Sequence, residues 1–164
     1  MQALAFRLRP IWPYLTFLAS GALLVAAHAF ERIGGLAPCP LCLDQRNWHW
    51  GVLAVSALGA VLVRFMPARA WIAAALIGLV YVGAAGMAGY HVAVEQKWVI
   101  AQCDARLDVN DIQPMSFEGE LTIPRCDTPA WTMFAISMAG YNFLISLALM
   151  LASFVVAFAP QRKS

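Results

Sequence analysis

Residues 71–90 read WIAAALIGLVYVGAAGMAGY, a block of 20 residues with no charged side chain. About 20 apolar residues in a helix cross the hydrocarbon core of a bilayer. Three further apolar blocks accompany this one, at 11–30, 48–65 and 131–159. The blocks are continuous rather than alternating. Lipid cannot satisfy exposed backbone groups, so helices are the spanning element. The last block is longer than the hydrocarbon thickness and can tilt or emerge at one end. The whole chain of 164 residues is 62% hydrophobic and 12% charged. Soluble domains sit near 45–50% apolar and about 25% charged. The composition therefore argues against soluble globular and disordered classes, and a net charge of +2 gives no reason to expect nucleic acid. The reading is a single membrane domain over 1–164, an all-α bundle of four transmembrane helices.

Charge orients the bundle. Arg7 and Arg9 precede the first block, Arg64 and Arg69 lie between the second and third, and Arg162 and Lys163 follow the fourth. All nine acidic residues lie in the two remaining segments, 31–47 and 91–130. Basic short loops stay in the cytoplasm. Both termini are therefore expected inside, with the 31–47 and 91–130 loops outside. The sequence Ala27-His28-Ala29 resembles a signal-peptidase site, but the apolar run before it exceeds a signal core of about 7–15 residues. The block is read as a retained span. Tryptophans near the block edges, Trp12, Trp48, Trp50, Trp71, Trp98 and Trp131, fit an interfacial belt. Gly83, Gly86 and Gly89 lie mid-membrane, where small residues let helices approach closely.

The four cysteines, Cys39, Cys42, Cys103 and Cys126, all fall in the outward loops, two in each. An oxidising compartment favours disulfides. Cys39-Pro40-Leu41-Cys42 is a CxxC motif, close enough to form a small, exchange-prone ring. With the second helix expected to start at about Asp44, Cys42 lies at a helix N-terminus, which favours a thiolate. Arg46, one turn on, adds positive charge on the same face, or else anchors the helix at the interface. Asp44 opposes this unless it turns away to cap the helix. Cys103 and Cys126 are separated by 22 residues, a spacing suited to a loop disulfide. That disulfide is either catalytic or a static staple. Zinc is disfavoured because a second CxxC and a His pair at ligand spacing are both missing. His91 opens the second outward loop, with Glu95 one turn later in position to orient it. His28 and His49 are weaker candidates.

These residues resemble the disulfide bond formation protein B (DsbB) family of bacterial inner-membrane thiol oxidases. The run GLAPCPLCLDQR at 35–46 is close to the family signature, including an Arg four residues past the second Cys. Cys126 through Trp131, and then Gly140-Tyr141-Asn142, resemble the entry to the family's last helix. The likeness covers nearly the whole chain and is least in the middle of the second loop. It implies a thiol:quinone oxidoreductase that reoxidises a periplasmic thioredoxin-like oxidase of the DsbA type. That DsbA–DsbB–quinone route keeps the periplasm oxidising. By position, it implies that Cys103 takes the partner's thiolate and that Cys126 is its disulfide partner. Cys39, paired with Cys42, exchanges with them. Cys42 passes electrons to a ubiquinone or menaquinone, with Arg46 and His91 at the quinone and neither metal nor flavin required. Two alternatives remain open at this stage: a vitamin K epoxide reductase-like thiol oxidoreductase, whose CxxC is expected late in the chain, and a non-catalytic membrane protein with structural disulfides.

Overall fold

A computed structural model describes residues 2–100 and 125–160 of the chain. A short helix, α1 (Gln2–Leu8), is followed by α2 (Trp12–Arg32), α3 (Pro40–Phe65), α4 (Ala70–Glu95) and α5 (Met138–Phe158). The last four are long and apolar enough to cross a membrane. At 1.5 Å per residue, 21 residues reach about 31 Å, the thickness of the hydrocarbon core. The fold is a four-helix membrane bundle, as the apolar blocks predict.

The helix ends depart from the blocks. The second begins at Pro40, not near Asp44, because Pro40 supplies a helical φ at the first position and the Cys39 side chain caps the turn. The third continues beyond residue 90 to Glu95. The fourth block, 131–159, is helical only from Met138, where Ser137 Oγ accepts the Gly140 N–H at 3.0 Å. Before it, β1 (Thr132–Met133) and β2 (Ile136–Ser137) pair antiparallel through a turn at Phe134 and Ala135. Both turn residues have positive φ, 50° and 62°. Such turns usually carry Asn-Gly, so the sequence holds no local signal for this hairpin.

α4 is the centre of the bundle, packed between α3 and α5, with α2 laid against α3. Its buried positions Ala74, Ile77, Tyr81, Ala84, Ala88 and His91 alternate steps of three and four, which keeps one seam facing its neighbours. Besides the expected Gly83 and Gly89, Gly59 and Gly78 also allow close approach. A Cβ on Gly59 would lie 3.2 Å from the Ala73 Cβ, and one on Gly78 would lie 3.1 Å from the Phe154 ring. Gly83 carries the Trp48 ring and Gly89 the Phe143 ring, whereas Gly86 has nothing within 4 Å.

Large apolar side chains such as Leu18, Leu58 and Val155 point outward, while Thr16, Ser20, Ser56, Ser146 and Ser153 are fully buried. This is the arrangement lipid requires, since hydrocarbon outside gives apolar groups no reason to turn in and polar contacts hold helices together. Thr16 and Ser56 hydrogen bond across α2 and α3 at 2.9 Å. Trp12, expected in the interfacial belt, is buried and donates its indole N–H to Ser153 at 3.0 Å. Arg9 closes the far end of the bundle, donating to the carbonyls of Val156, Ala157 and Ala159, the last turn of α5 and its cap.

Candidate functional site

At the opposite end, the start of α3 meets the end of α4 and the chain leading into α5. Cys39 is the N-cap of α3 and Cys42 lies in its first turn. Both are free thiols in this structure. The sequence places the helix N–H groups on Cys42. Instead, the Cys42 N–H donates to Cys39 Sγ at 3.2 Å, because the helix starts earlier than expected. The side-chain hydrogen bond with Cys42, followed by burial, pushes the Cys39 thiol up. Cys126 is disulfide-bonded. It is buried and packs with Cys39 and Val94, against Leu41 and Cys42, in one apolar cluster. Two loops distant in sequence thus bring three of the four cysteines together. Cys103 lies outside the described residues.

Arg46 acts on Cys42 as expected and is also held by groups on α2. Its guanidinium donates to the Glu31 carboxylate and, at 3.1 Å, to the Ala27 carbonyl on α2. Glu31 was not singled out as a site residue in the sequence. It is 15 residues from Arg46, a pairing no helical periodicity reveals. Arg46 nevertheless lines the same cavity as Cys42. This cavity holds about 420 Å³, and its walls include Leu24, Phe30, Trp131 and Ile145 beside Cys42, Arg46 and His91. Phe30 and Trp131 pack at 5.2 Å between ring centroids. The cavity is therefore mainly apolar, and its polar lining includes the thiols of Cys39 and Cys42, the imidazoles of His49 and His91, the guanidiniums of Arg46 and Arg125 and the Glu95 carboxylate.

His91 is buried between the two cysteine loops. Its Nε2 lies 3.7 Å from Cys39 Sγ, and the Cys126 backbone is a further hydrogen-bond partner. Glu95, expected to orient His91, approaches this same nitrogen only to 3.9 Å. Its carboxylate accepts the Ser137 hydroxyl at 2.5 Å. The group that orients His91 is Gln45, whose Nε2 lies 2.5 Å from His91 Nδ1. Gln45 Oε1 accepts from Asn142 Nδ2 at 2.6 Å, and Asn142 Oδ1 meets His49 Nε2 at 2.8 Å. His49 thus joins the network around the site, whereas His28 bonds only locally, to the Leu24 carbonyl. In the sequence Gln45 and Asn142 stand only within the family-like runs and carry no role there, because a neutral amide has no chemical signature until its neighbours are known. Ligand atoms of Cys39, Cys42 and His91 all lie within 4.8 Å of one another, a grouping that could also hold a metal ion.

The profile of the family described as Disulfide bond formation protein DsbB matches residues 9–156. Among curated relatives, disulfide bond formation protein B 2 of Pseudomonas entomophila is 31% identical over 157 residues, covering 90% of each chain. Disulfide bond formation protein B of Marinobacter nauticus is 30% identical over 155 residues, 87% of this chain and 88% of its own. A shorter match to disulfide bond formation protein B of Methylococcus capsulatus is 45% identical over 80 residues and spans about half of that protein, 47%. No solved structure matches. With a cysteine-lined site at one end of a four-helix membrane bundle and a family match over most of its length, the chain belongs to the DsbB family of disulfide bond formation proteins.

Proposed function

We propose that this membrane disulfide-forming protein reoxidises a periplasmic thioredoxin-like oxidase of the DsbA type and passes the electrons to a membrane quinone. The observation that carries this reading is the packing of disulfide-bonded Cys126 against the Cys39 and Cys42 thiols, beside an apolar cavity lined by Arg46. The proposed pairs are Cys103 with Cys126 and Cys39 with Cys42. The partner's thiolate attacks Cys103 sulfur. The bond to Cys126 breaks, and its electron pair leaves on Cys126. That thiolate attacks Cys39 sulfur in its disulfide, and the pair now leaves on Cys42. Each step exchanges one S–S bond for another and needs an attacking thiolate and an accessible sulfur.

The cavity fits a flat apolar ring with polar edges. Leu24, Phe30 and Ile145 suit the ring, Arg46 would meet one of its oxygens, and His91 lines the same cavity. A quinone, when bound, supplies the two-electron acceptor for the thiol pair. Arg46, fixed by Glu31 and Ala27, keeps a positive charge near Cys42 and favours negative charge on that sulfur. The proposed setting is the bacterial inner membrane, with both termini cytoplasmic and the cysteines periplasmic, following the distribution of basic residues.

Two results test the reading. On removal of quinone from cells making the protein, Cys39 and Cys42 are expected to accumulate as thiols, read by alkylation and mass shift. Full oxidation without quinone would favour static disulfides. Arg46→Ala is expected to raise the apparent KM for quinone about tenfold or more, the loss of a charged contact, and to leave the KM for the thiol partner unchanged. An unchanged quinone KM would make Arg46 an interfacial anchor.

A further inference from the structure

A file of buried and half-buried polar side chains runs from the middle of the bundle to the cysteines and draws on all four spanning helices. Tyr81 Oη lies 2.8 Å from Ser20 Oγ, which lies 3.2 Å from His49 Nδ1. His49 Nε2 meets Asn142 Oδ1, Asn142 Nδ2 meets Gln45 Oε1, Gln45 Nε2 meets His91 Nδ1, and His91 Nε2 faces Cys39 Sγ. Among the described residues, no buried side-chain nitrogen or oxygen lacks a partner. An amide or a neutral imidazole that accepts on one side donates on the other. The file therefore has two self-consistent registers. In one, every donor points toward Cys39. In the other, every donor points away, both amides are turned over and both rings are in the opposite tautomer.

Both ends select the first register. At the inner end, Tyr81 is fully buried and hydrogen bonded to Ser20. With the file reversed, Ser20 would donate to Tyr81, and the phenol O–H would lose its acceptor in an apolar interior, which is costly. At the outer end, His91 Nε2 faces Cys39 sulfur and, at 3.9 Å, the Glu95 carboxylate. Both accept hydrogen bonds, so an N–H belongs there and a lone pair does not. In the middle, Ser146 donates to Asn142 Oδ1 at 3.2 Å, in keeping with that register.

We propose that Gln45 and Asn142 are positioning residues that hold neutral His91 with its proton on Nε2, so that His91 acts as a hydrogen-bond donor to Cys39 sulfur and not as a base. Cys39 then accepts two N–H groups, from His91 and from Cys42, while its own S–H is hydrogen bonded to Cys42. One negative charge is thereby spread over the reduced pair. The charged groups facing that pair are Arg46, itself held by Glu31, and Glu95. No bond forms or breaks and no proton leaves His91. The role in turnover rests on the thiol-to-quinone reading above, but the tautomer does not.

The test uses reduced full-length protein labelled with 15N-histidine in detergent micelles, without quinone or partner, so failure of the quinone reading leaves it intact. The expected His91 ring shows a protonated Nε2 and a bare Nδ1, with its signals assigned by their loss in His91→Phe. A protonated Nδ1, alone or in an imidazolium, would overturn the proposal. In Gln45→Met, the single tautomer is expected to give way to a mixture. Alkylation of the reduced pair at neutral pH should slow about two- to tenfold, the effect of one hydrogen bond, with its pH profile displaced upward. Asn142→Leu should move both readouts the same way without touching His91 or either cysteine. An unchanged tautomer and pH profile in both variants, each folded by its thermal transition, would overturn it.

Discussion

Replacing Cys42 with serine is expected to reduce quinone reduction to the uncatalysed background. The Cys103 and Cys126 pair should still form a mixed disulfide with the soluble partner. The two halves separate because they use different sulfurs. The exchange half needs only an attackable S–S bond outside the membrane. The quinone half needs a thiolate at the cavity, and of the two sulfurs that line it, Cys42 is the one on which the Arg46 charge acts. A serine hydroxyl ionises far less readily than a thiol and cannot take part in an S–S bond. Trapping the mixed disulfide on a non-reducing gel, beside an absorbance assay of quinone reduction, reads both halves in one preparation. Full turnover by Cys42→Ser would remove Cys42 from the electron path.

Gly59→Leu is expected to be strongly damaging although it lies away from the site. A Cβ at 59 already comes within 3.2 Å of Ala73 and 3.5 Å of Pro13, so three helices converge on this glycine. A leucine there must push α3 away from α2 and α4, at a cost of about 3 kcal/mol. Gly86→Leu is the control, because nothing lies within 4 Å of its Cβ position. Thermal unfolding in detergent should separate the two variants clearly. Gly59 stands about 20 Å along α3 from Arg46, so thiol reactivity in the folded fraction should change little. Equal stability of the two variants would contradict the packing described.

The two glycines show where the sequence is legible and where it is not. Four apolar blocks, the CxxC, Arg46 and His91 can be found from composition and spacing, since each depends on local chemistry. Which glycine separates which helices depends on rotation about each axis, and the pattern Gly83, Gly86, Gly89 gave no means to exclude Gly86. The start of α3 was placed late because Asp44 is a common capping residue, while a cysteine sulfur is not a usual cap. That shift moved the helix N–H groups from Cys42 to Cys39. Arg46 stands out in the sequence but its hold on Glu31 does not, and Glu95 is the legible candidate to orient His91 because a carboxylate one turn away is visible in sequence. Gln45 and Asn142 are 97 residues apart and meet only when α3 and α5 pack against α4. The Phe134 and Ala135 turn breaks the usual residue rule for its conformation, so no reading of the 131–137 segment would have found it.

The central claim is that electrons cross from a soluble dithiol to a membrane quinone through these cysteines. It is tested most directly by adding a reduced thioredoxin-like oxidase of the DsbA type and a quinone to the purified protein and following both substrates together. One quinone should be reduced for each disulfide formed, with no oxidation of the thiol partner when quinone is left out. Oxidation that proceeds at the same rate without quinone, or a folded protein with its disulfides intact that turns over no quinone offered, would contradict it.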